Sequence, residues 1–174
     1  MLTTEISIRL AGKDDAETIA DLSRITFHET FAPHNTQRDM EIFLKEQFTK
    51  HSLIAEVGAA INTFYLAYAG DQLAGYVKLR DHEIPKELKG FSCLEIARIY
   101  ATASMIGKGV GSRLMQHSID IALQKQKQVI WLAVWEKNQR AMDFYQRWGF
   151  EIFGKQIFVL GTDLQKDWLM KKML

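Results

Sequence analysis

The sequence is poor in cysteine and proline, and it has almost no excess of charge of either sign. Its single cysteine, Cys93, excludes an internal disulfide, so a reducing cytoplasm is the compartment that we expect. The formal net charge of +1 excludes the strongly basic composition of many proteins that bind nucleic acids or anionic membranes. We therefore expect no nucleic acid and no membrane among its partners.

Long apolar runs, low-complexity tracts and proline-rich linkers are also missing. No apolar stretch approaches the roughly 20 residues that a membrane-spanning helix needs. The chain has 174 residues, of which 47% are hydrophobic, and this predicts one globular domain over residues 1–174. Histidines, cysteines and carboxylates do not cluster at the spacing of metal ligands, so we expect no metal.

Hydrophobic periodicity predicts a sheet with helices packed against it. The predicted strands cover 5–10, 63–69, 73–80, 94–100, 129–134, 152–160 and 164–172. The predicted helices cover 16–31, a segment that begins with Asn35 or Thr36 as its cap, 53–61, 110–127 and 138–148. A helical connection makes the strands 94–100 and 129–134 parallel, whereas short turns make the hairpins antiparallel. The expected fold class is α/β (α+β), with a mixed, mostly antiparallel sheet that contains one parallel pair.

A glycine-rich turn joins the strand 94–100 to the helix that follows it. Its glycines, Gly107, Gly109 and Gly111, let the backbone approach a bulky anion closely. The free N–H groups of the first helical turn and the positive end of the helix dipole favour phosphate there. Lys108 adds a mobile positive charge. We interpret the turn as a pyrophosphate cradle, and a plain connection is the alternative.

A second motif, Asn-Gln-Arg-Ala-Met-Asp-Phe-Tyr, begins at Asn138, just beyond the strand 129–134. Asn138 is the predicted cap of a helix, and Tyr145 lies about two turns further along on the same face. Sheets that contain parallel strands often bind ligands in the crevice at the carboxyl ends of two adjacent parallel strands. Tyr145 would face that crevice, where its phenol could protonate a departing thiolate.

The two motifs together resemble the GNAT superfamily of acetyl-CoA-dependent N-acetyltransferases, over nearly the whole chain. The resemblance implies that coenzyme A enters a splay between the two parallel strands and that no metal is required. It implies a coenzyme site made of Ile99, Tyr100, Ala101, Ile106, Gly107, Lys108, Gly109, Val110, Gly111, Ser112, Asn138 and Tyr145. Tyr145 is the implied acid, and backbone N–H groups near 99–101 would polarise the thioester carbonyl. The turn of the superfamily usually begins with Gln or Arg, where this chain has Ile106.

A narrower pattern is similar to a bacterial subgroup that contains the Pai-type spermidine/spermine N-acetyltransferase. It is carried by Thr26-Phe-His-Glu-Thr-Phe31, Ala74-Gly-Tyr-Val-Lys78 and Trp131-Leu-Ala-Val-Trp-Glu-Lys-Asn138. This resemblance implies a polyamine or another small amine as the acceptor. The candidate substrate contacts are His28, Glu29, Tyr76 and Glu83, and Glu29, Glu41 and Glu83 together could attract a cationic amine.

Glu95 is a further catalytic candidate, because a carboxylate amid the apolar residues of a strand is costly without a partner. Either it pairs with Arg98, Lys78 or Arg80, or it removes the amine proton, directly or through water. Two other functions stay open: acetylation of protein N-termini or lysines, and a coenzyme-A-binding regulatory module with little turnover. A homodimer also stays open.

Overall fold

The computed structural model of the chain describes residues 5–82 and 84–174, which contain one seven-stranded sheet. Its strands are β1 (Ile6–Leu10), β2 (Asn62–Ala69), β3 (Gln72–Arg80), β4 (Cys93–Ala101), β5 (Val129–Trp135), β6 (Glu151–Leu160) and β7 (Asp163–Met173). The helices are α1 (Ala16–Phe31), α2 (Gln37–Ile42), α3 (Lys50–Glu56), α4 (Val110–Gln124) and α5 (Gln139–Arg147). A π-helical turn, Phe43–Gln47, continues α2.

The strand order is β1-β2-β3-β4-β5-β7-β6. β4 and β5 run parallel, and each of the other neighbouring pairs in the described part of the chain is antiparallel. The parallel pair follows from the crossover through α4, which returns the chain to the same edge before β5 begins. The predicted fold class, a mixed and mostly antiparallel sheet with one parallel pair, is confirmed.

The helix bounds follow local capping signals. α1 coincides with the predicted helix 16–31, and Thr36 caps α2 because its hydroxyl accepts from the Asp39 N–H at 3.1 Å. The predicted helix 53–61 is wrong at both ends. Thr49 starts α3 earlier by accepting from the Ser52 N–H at 3.1 Å, and Gly58, with φ of +98°, follows its end.

The two faces of the sheet are covered by different helices. The α4 face carries the largest apolar cluster, which includes Leu94, Ile96, Leu114, Met115, Ile130 and Leu132. The opposite face, called here the α1 face, packs against α1 through Ile19, Leu22, Phe64, Leu66 and Tyr76. Successive side chains of a strand point to opposite faces, so the side chains of one strand serve both layers.

Candidate active site

β4 and β5 separate part-way along their length. Their pairing is confined to Cys93–Glu95 against Val129–Trp131, although β4 continues to Ala101 and β5 to Trp135. The outer edges of the two strands remain paired with β3 and β7. The carboxyl-terminal halves therefore enclose a gap, lined by backbone groups that the sheet does not use, where ligands of such sheets bind. The predicted splay is confirmed.

The backbone of β4 presents alternate residues to this gap. The Thr102 N–H donates to the Ala74 carbonyl at 2.9 Å, and the Tyr100 carbonyl also faces β3, where it would clash with a Cβ on Gly75. Backbone groups alternate between the two edges of a strand, so the N–H groups of Ile99 and Ala101 point into the gap. Three residues of β4 were predicted to contact the coenzyme. Of these, Tyr100 instead directs its backbone carbonyl toward β3.

Two positions of the glycine-rich turn have backbone conformations that favour glycine. Gly107 and Gly109 have φ of +79° and +85°, a region that costs other residues roughly 1–2 kcal/mol. Among the described residues other than the immediate neighbours of each glycine, no atom lies within 4 Å of where a Cβ would stand at either position. The turn therefore has open space above its backbone, and a side chain added there would enter that space.

The start of α4 leaves a run of backbone donors free. The first N–H of this segment with a backbone acceptor is that of Arg113, which donates to the Gly109 carbonyl at 3.0 Å. Within the described chain, the N–H groups of Gly109, Val110, Gly111 and Ser112 donate to no backbone carbonyl. Lys108 is exposed beside them, and so is Ile106. These residues fit the pyrophosphate of coenzyme A, because such N–H groups at a helix start bind phosphate.

α5 closes the α4 face of the gap. Asn138 is its cap, as predicted, since its side-chain oxygen accepts from the Ala141 N–H at 3.2 Å. Tyr145 is buried, and its ring lies between Phe144 and Phe150, at centroid distances of 5.6 and 6.0 Å. Burial raises the pKa of Tyr145, so its hydroxyl is protonated at neutral pH and is a weaker acid than a solvated phenol.

A group of three titratable side chains lies around the gap: Tyr100 on β4, Tyr145 on α5 and Asp167 on β7. Burial raises the pKa of Tyr100, and Tyr76, Tyr145 and Asp167 raise it further. Asp167 lies on β7 directly opposite Trp135, at the carboxyl end of β5. Burial also raises the pKa of Asp167, to about 6, although Gln156 on β6 opposes the shift. Sequence reasoning missed Asp167, whose signal is a polar residue at a position where the alternation of β7 requires an inward-facing side chain.

Glu95 is ion-paired. Its carboxylate accepts from Arg80 Nε at 2.7 Å and from a second Arg80 nitrogen at 2.9 Å, and His82 Nε2 lies 2.6 Å away. Arg80 was one of the three partners considered from the sequence. Both carboxylate oxygens are thus engaged, and removal of the amine proton by Glu95 stays a prediction.

Glu56 on α3 forms ion pairs with Arg98 and Lys78, the other two residues considered from the sequence as partners of Glu95. Arg98 donates to both of its oxygens at 2.8 and 2.9 Å, and Lys78 Nζ lies 3.1 Å from one of them. Burial alone would raise the pKa of Glu56, but the Arg98 hydrogen bonds hold it below its usual value. Burial lowers the pKa of Lys78 to about 8. This network, which the sequence did not reveal, ties α3 to β3 and β4.

The predicted substrate residues do not form one cluster. His28 and Glu29 are exposed on α1, and His28 lines a pocket of about 410 Å³ between α1 and α2, together with Asn35 and Glu41. Tyr76 is fully buried beneath α1, which argues against direct contact with a substrate. Glu83 lies outside the described residues.

Metal clusters and membrane-spanning helices are both missing from the described ranges, 5–82 and 84–174. The histidines, cysteines and carboxylates of those ranges form no group of three or more that could hold a metal ion. None of the helices there has the length and apolar character needed to cross a membrane.

Comparison with known proteins gives matches along most of the chain. The sequence profile of the acetyltransferase (GNAT) family matches residues 19–150. A Lactobacillus delbrueckii subsp. lactis protein, named an N-acetyltransferase, is 36% identical over 167 residues, or 96% of each chain. The spermidine N(1)-acetyltransferase of Thermoplasma acidophilum is 24% identical over 151 residues, covering 84% of this chain and 89% of its own. The solved structure of the PaiA N-acetyltransferase from Thermoplasma acidophilum, in complex with coenzyme A, is similar with a TM-score of 0.77 at 23% identity, covering 98% of this chain and 99% of that one.

Proposed function

The chain belongs to the GNAT family and is an acetyl-CoA-dependent N-acetyltransferase, and on this premise we propose that its acceptor is a small primary amine of the polyamine type. The family predicted from the glycine-rich turn and the Asn138–Tyr145 motif is thereby confirmed. The observation that supports the acceptor class is the similarity, along 84% of the chain, to a protein named as a spermidine acetyltransferase. The pocket between α1 and α2 contains one carboxylate, that of Glu41, which could pair with a cationic acceptor.

The proposed coenzyme contacts follow from the free backbone groups. The N–H groups of Gly109 to Ser112 would hold the pyrophosphate, and Lys108 would add a charge contact. Those of Ile99 and Ala101 would donate to the part of the coenzyme in the gap and to its thioester oxygen. When bound, acetyl-CoA would supply an activated acetyl group at the gap. Because the cradle starts α4 on one face of the sheet, the acceptor would approach from the opposite, α1 face.

Tyr145 is the proposed acid. Its buried hydroxyl holds its proton until negative charge develops on the departing sulfur, and then donates it. Within the described chain, burial rather than a side-chain hydrogen bond raises the pKa of that hydroxyl. The amine must attack as the neutral form, because only that form has a free lone pair.

Thiol release from acetyl-CoA with a panel of amines tests both proposals. We expect turnover with spermidine or spermine, and for Tyr145→Phe we expect kcat to fall roughly 100-fold or more. Phenylalanine keeps the packing of the ring, so the affinity for coenzyme A should stay within about twofold. Tyr68→Phe is the matched control, because Tyr68 lies on β2 and its hydroxyl accepts a hydrogen bond from Arg9 at 3.0 Å.

Each other outcome points to a different function. Turnover with peptide amines, but not with polyamines, would identify a protein N-terminal or lysine acetyltransferase. Tight binding of coenzyme A without turnover on any amine would identify a regulatory coenzyme-A-binding module. Unchanged turnover in Tyr145→Phe would exclude that residue as the acid.

A further inference from the structure

Two buried hydrogen-bond acceptors lie on β7, the strand that pairs with the outer edge of β5. Asp167 and Gln165 are 8% and 6% exposed. They are two residues apart on one strand, so both side chains are on the same face of the sheet as Leu169. Leu169 packs with Cys93 and Trp131 on the α1 face. The α1 side therefore has two buried polar side chains beside this apolar cluster.

The hydrogen-bonding capacity of this pair is unfilled. Gln165 uses its amide nitrogen for Asn35 Oδ1 and for Asp163, the latter at 3.1 Å, which leaves its buried Oε1 without a partner. In the described ranges, the Asp167 carboxylate forms no ion pair with a lysine, arginine or histidine. Its polar neighbour is Gln156, an uncharged amide on β6. Both side chains thus offer oxygen atoms that lack a cationic donor.

Such an arrangement is unfavourable in the free protein. A buried carbonyl oxygen without a donor loses its hydration and gains no hydrogen bond in return. A buried carboxylate without a cation is worse, and its pKa, which burial raises to about 6, reflects that cost. At neutral pH the carboxylate is nevertheless ionised, so a cation that donates several hydrogen bonds is the ligand chemistry that this pair lacks.

The position of the pair connects it to the reacting groups. Asp167 is the direct cross-strand partner of Trp135, the last residue of β5, and its charge acts on Tyr100 across the gap. Asn35 lines the pocket between α1 and α2, and its Oδ1 accepts the hydrogen bond from Gln165. One side chain therefore separates that pocket from the pair.

We propose that Asp167 and Gln165 bind an alkylammonium group of the acceptor on the α1 side of the gap. An ammonium group carries three N–H donors and no acceptor, which matches a carboxylate and a lone amide oxygen. The inference rests on the proposed function, since it specifies how an amine acceptor is recognised. It assigns specificity for charged alkylamines to β7, rather than to the predicted residues His28 and Glu29 on α1.

Steady-state kinetics of Asp167→Asn at pH 7.5 tests the proposal. With spermidine as acceptor, we expect the KM to rise about 10- to 100-fold, because one charge-assisted contact is removed while the shape is kept. The Kd for coenzyme A, measured by calorimetry, should stay within about twofold, because the cradle is on the other side of the sheet. Asp120→Asn is the matched control, since Asp120 is exposed on α4 and accepts a hydrogen bond from the Gln116 amide at 2.9 Å.

An arylamine acceptor separates recognition of charge from general damage to the site. Aniline is neutral at this pH, so its kcat/KM should fall less than about threefold in Asp167→Asn. Equal losses for spermidine and aniline, or an unchanged KM for spermidine, would overturn the proposal while leaving the proposed function intact. If the wild-type protein binds coenzyme A but acetylates no alkylamine, the proposed function fails, and this inference fails with it.

Discussion

Three buried titratable side chains near the gap are all shifted toward their neutral forms. Burial raises the pKa of Tyr100, Tyr145 and Asp167. A common cause at three positions means that water solvates this region poorly. Interactions with an incoming charge are stronger in such surroundings than at the surface. The site can therefore distinguish charged from neutral ligands more strongly, but these buried groups lower the stability of the free protein.

Asp167→Asn should stabilise the free protein at neutral and alkaline pH. The pKa of Asp167 is about 6 in the folded state, against an ordinary value of 3.8. The folded state thus binds more protons between these values, so the free energy of unfolding falls as pH rises from about 4 to 6, and the loss persists above that range. We expect Asp167→Asn to gain on the order of 2–3 kcal/mol at pH 8 and little at pH 4.

Urea unfolding of wild type and Asp167→Asn at pH 4 and pH 8 measures this gain. Asp120→Asn should show no such pH-dependent gain, because that carboxylate is exposed. A variant that is no more stable than wild type at pH 8 would show that Asp167 has a favourable partner in the folded chain.

Glu95→Gln separates the two roles left open for that carboxylate. We expect the free energy of unfolding to fall by about 1–3 kcal/mol, because Arg80 loses a charged, doubly hydrogen-bonded partner. We expect kcat to fall less than about tenfold, since removing a general base normally costs at least about 100-fold. Arg80→Gln is the matched control, because it breaks the same ion pair and leaves the carboxylate in place. If Glu95→Gln alone lowers kcat by about 100-fold, Glu95 is the base.

At the scale of single elements, the start of α4 combines a strained turn with free donors. Gly109→Ala should destabilise the protein by roughly 1–2 kcal/mol, because alanine is disfavoured at φ of +85°. It should also weaken coenzyme A binding by about tenfold or more, since the new Cβ enters the open space and the N–H groups of the turn shift.

Gly90→Ala provides the comparison for that variant. Gly90 has φ of +99° and nothing within 4 Å of a new Cβ, but it lies in the connection before β4. Its substitution should cost similar stability in urea unfolding and leave the calorimetric Kd for coenzyme A unchanged. Equal affinities for the two variants would mean that the turn at Gly109 does not hold the pyrophosphate.

The sequence predicted the elements whose signals are local. The hydrophobic periodicity of the sequence predicted α1 and β5 closely, and Gly107 and Gly109 marked the tight turn before α4, because each requirement lies within a few neighbouring residues. The π-helical turn Phe43–Gln47 was not predicted, since its apolar residues have ordinary helical spacing and only tertiary packing selects it.

The partners of charged residues were harder to predict. Glu56, which binds Arg98 and Lys78, is 42 residues away from Arg98 along the chain, and no periodicity links them. Gln165 and Asp167 were likewise missed, because their burial depends on the helices and on the hairpin that cover β7. Sequence patterns predict which face of a sheet a side chain occupies. Whether that face is exposed to solvent depends on the elements that pack against it.

At the scale of the whole molecule, the helical layer on the α1 face links the two halves of a divided sheet. β4 and β5 share only three paired positions, so the sheet itself joins its halves weakly. α3 holds the first half through Glu56 and Arg98. α2 holds the second half, because Asp39 accepts from the Thr162 N–H at 2.8 Å and from its hydroxyl at 2.7 Å. The contact of α2 with the β6–β7 turn therefore attaches this helical layer to the second half of the sheet.

Gly161→Ala tests this contact at the turn between β6 and β7. A Cβ at Gly161 would lie 2.5 Å from Asp39 Cα and 2.6 Å from its carbonyl oxygen, so the hairpin and α2 would have to move apart. Gly70 is the matched control, because it occupies the β2–β3 turn with φ of +61°, against +64° at Gly161, and has nothing within 4 Å. The free energy of unfolding of both alanine variants should fall by roughly 1–2 kcal/mol because of the disfavoured φ, and that of Gly161→Ala should fall by about 1–3 kcal/mol more.

Because α2 borders the acceptor side, Gly161→Ala should also raise the KM for spermidine while the Kd for coenzyme A stays near that of wild type. Identical urea midpoints for the two variants would show that the contact between α2 and the hairpin contributes nothing to stability, and an unchanged KM would show that it does not shape the acceptor side.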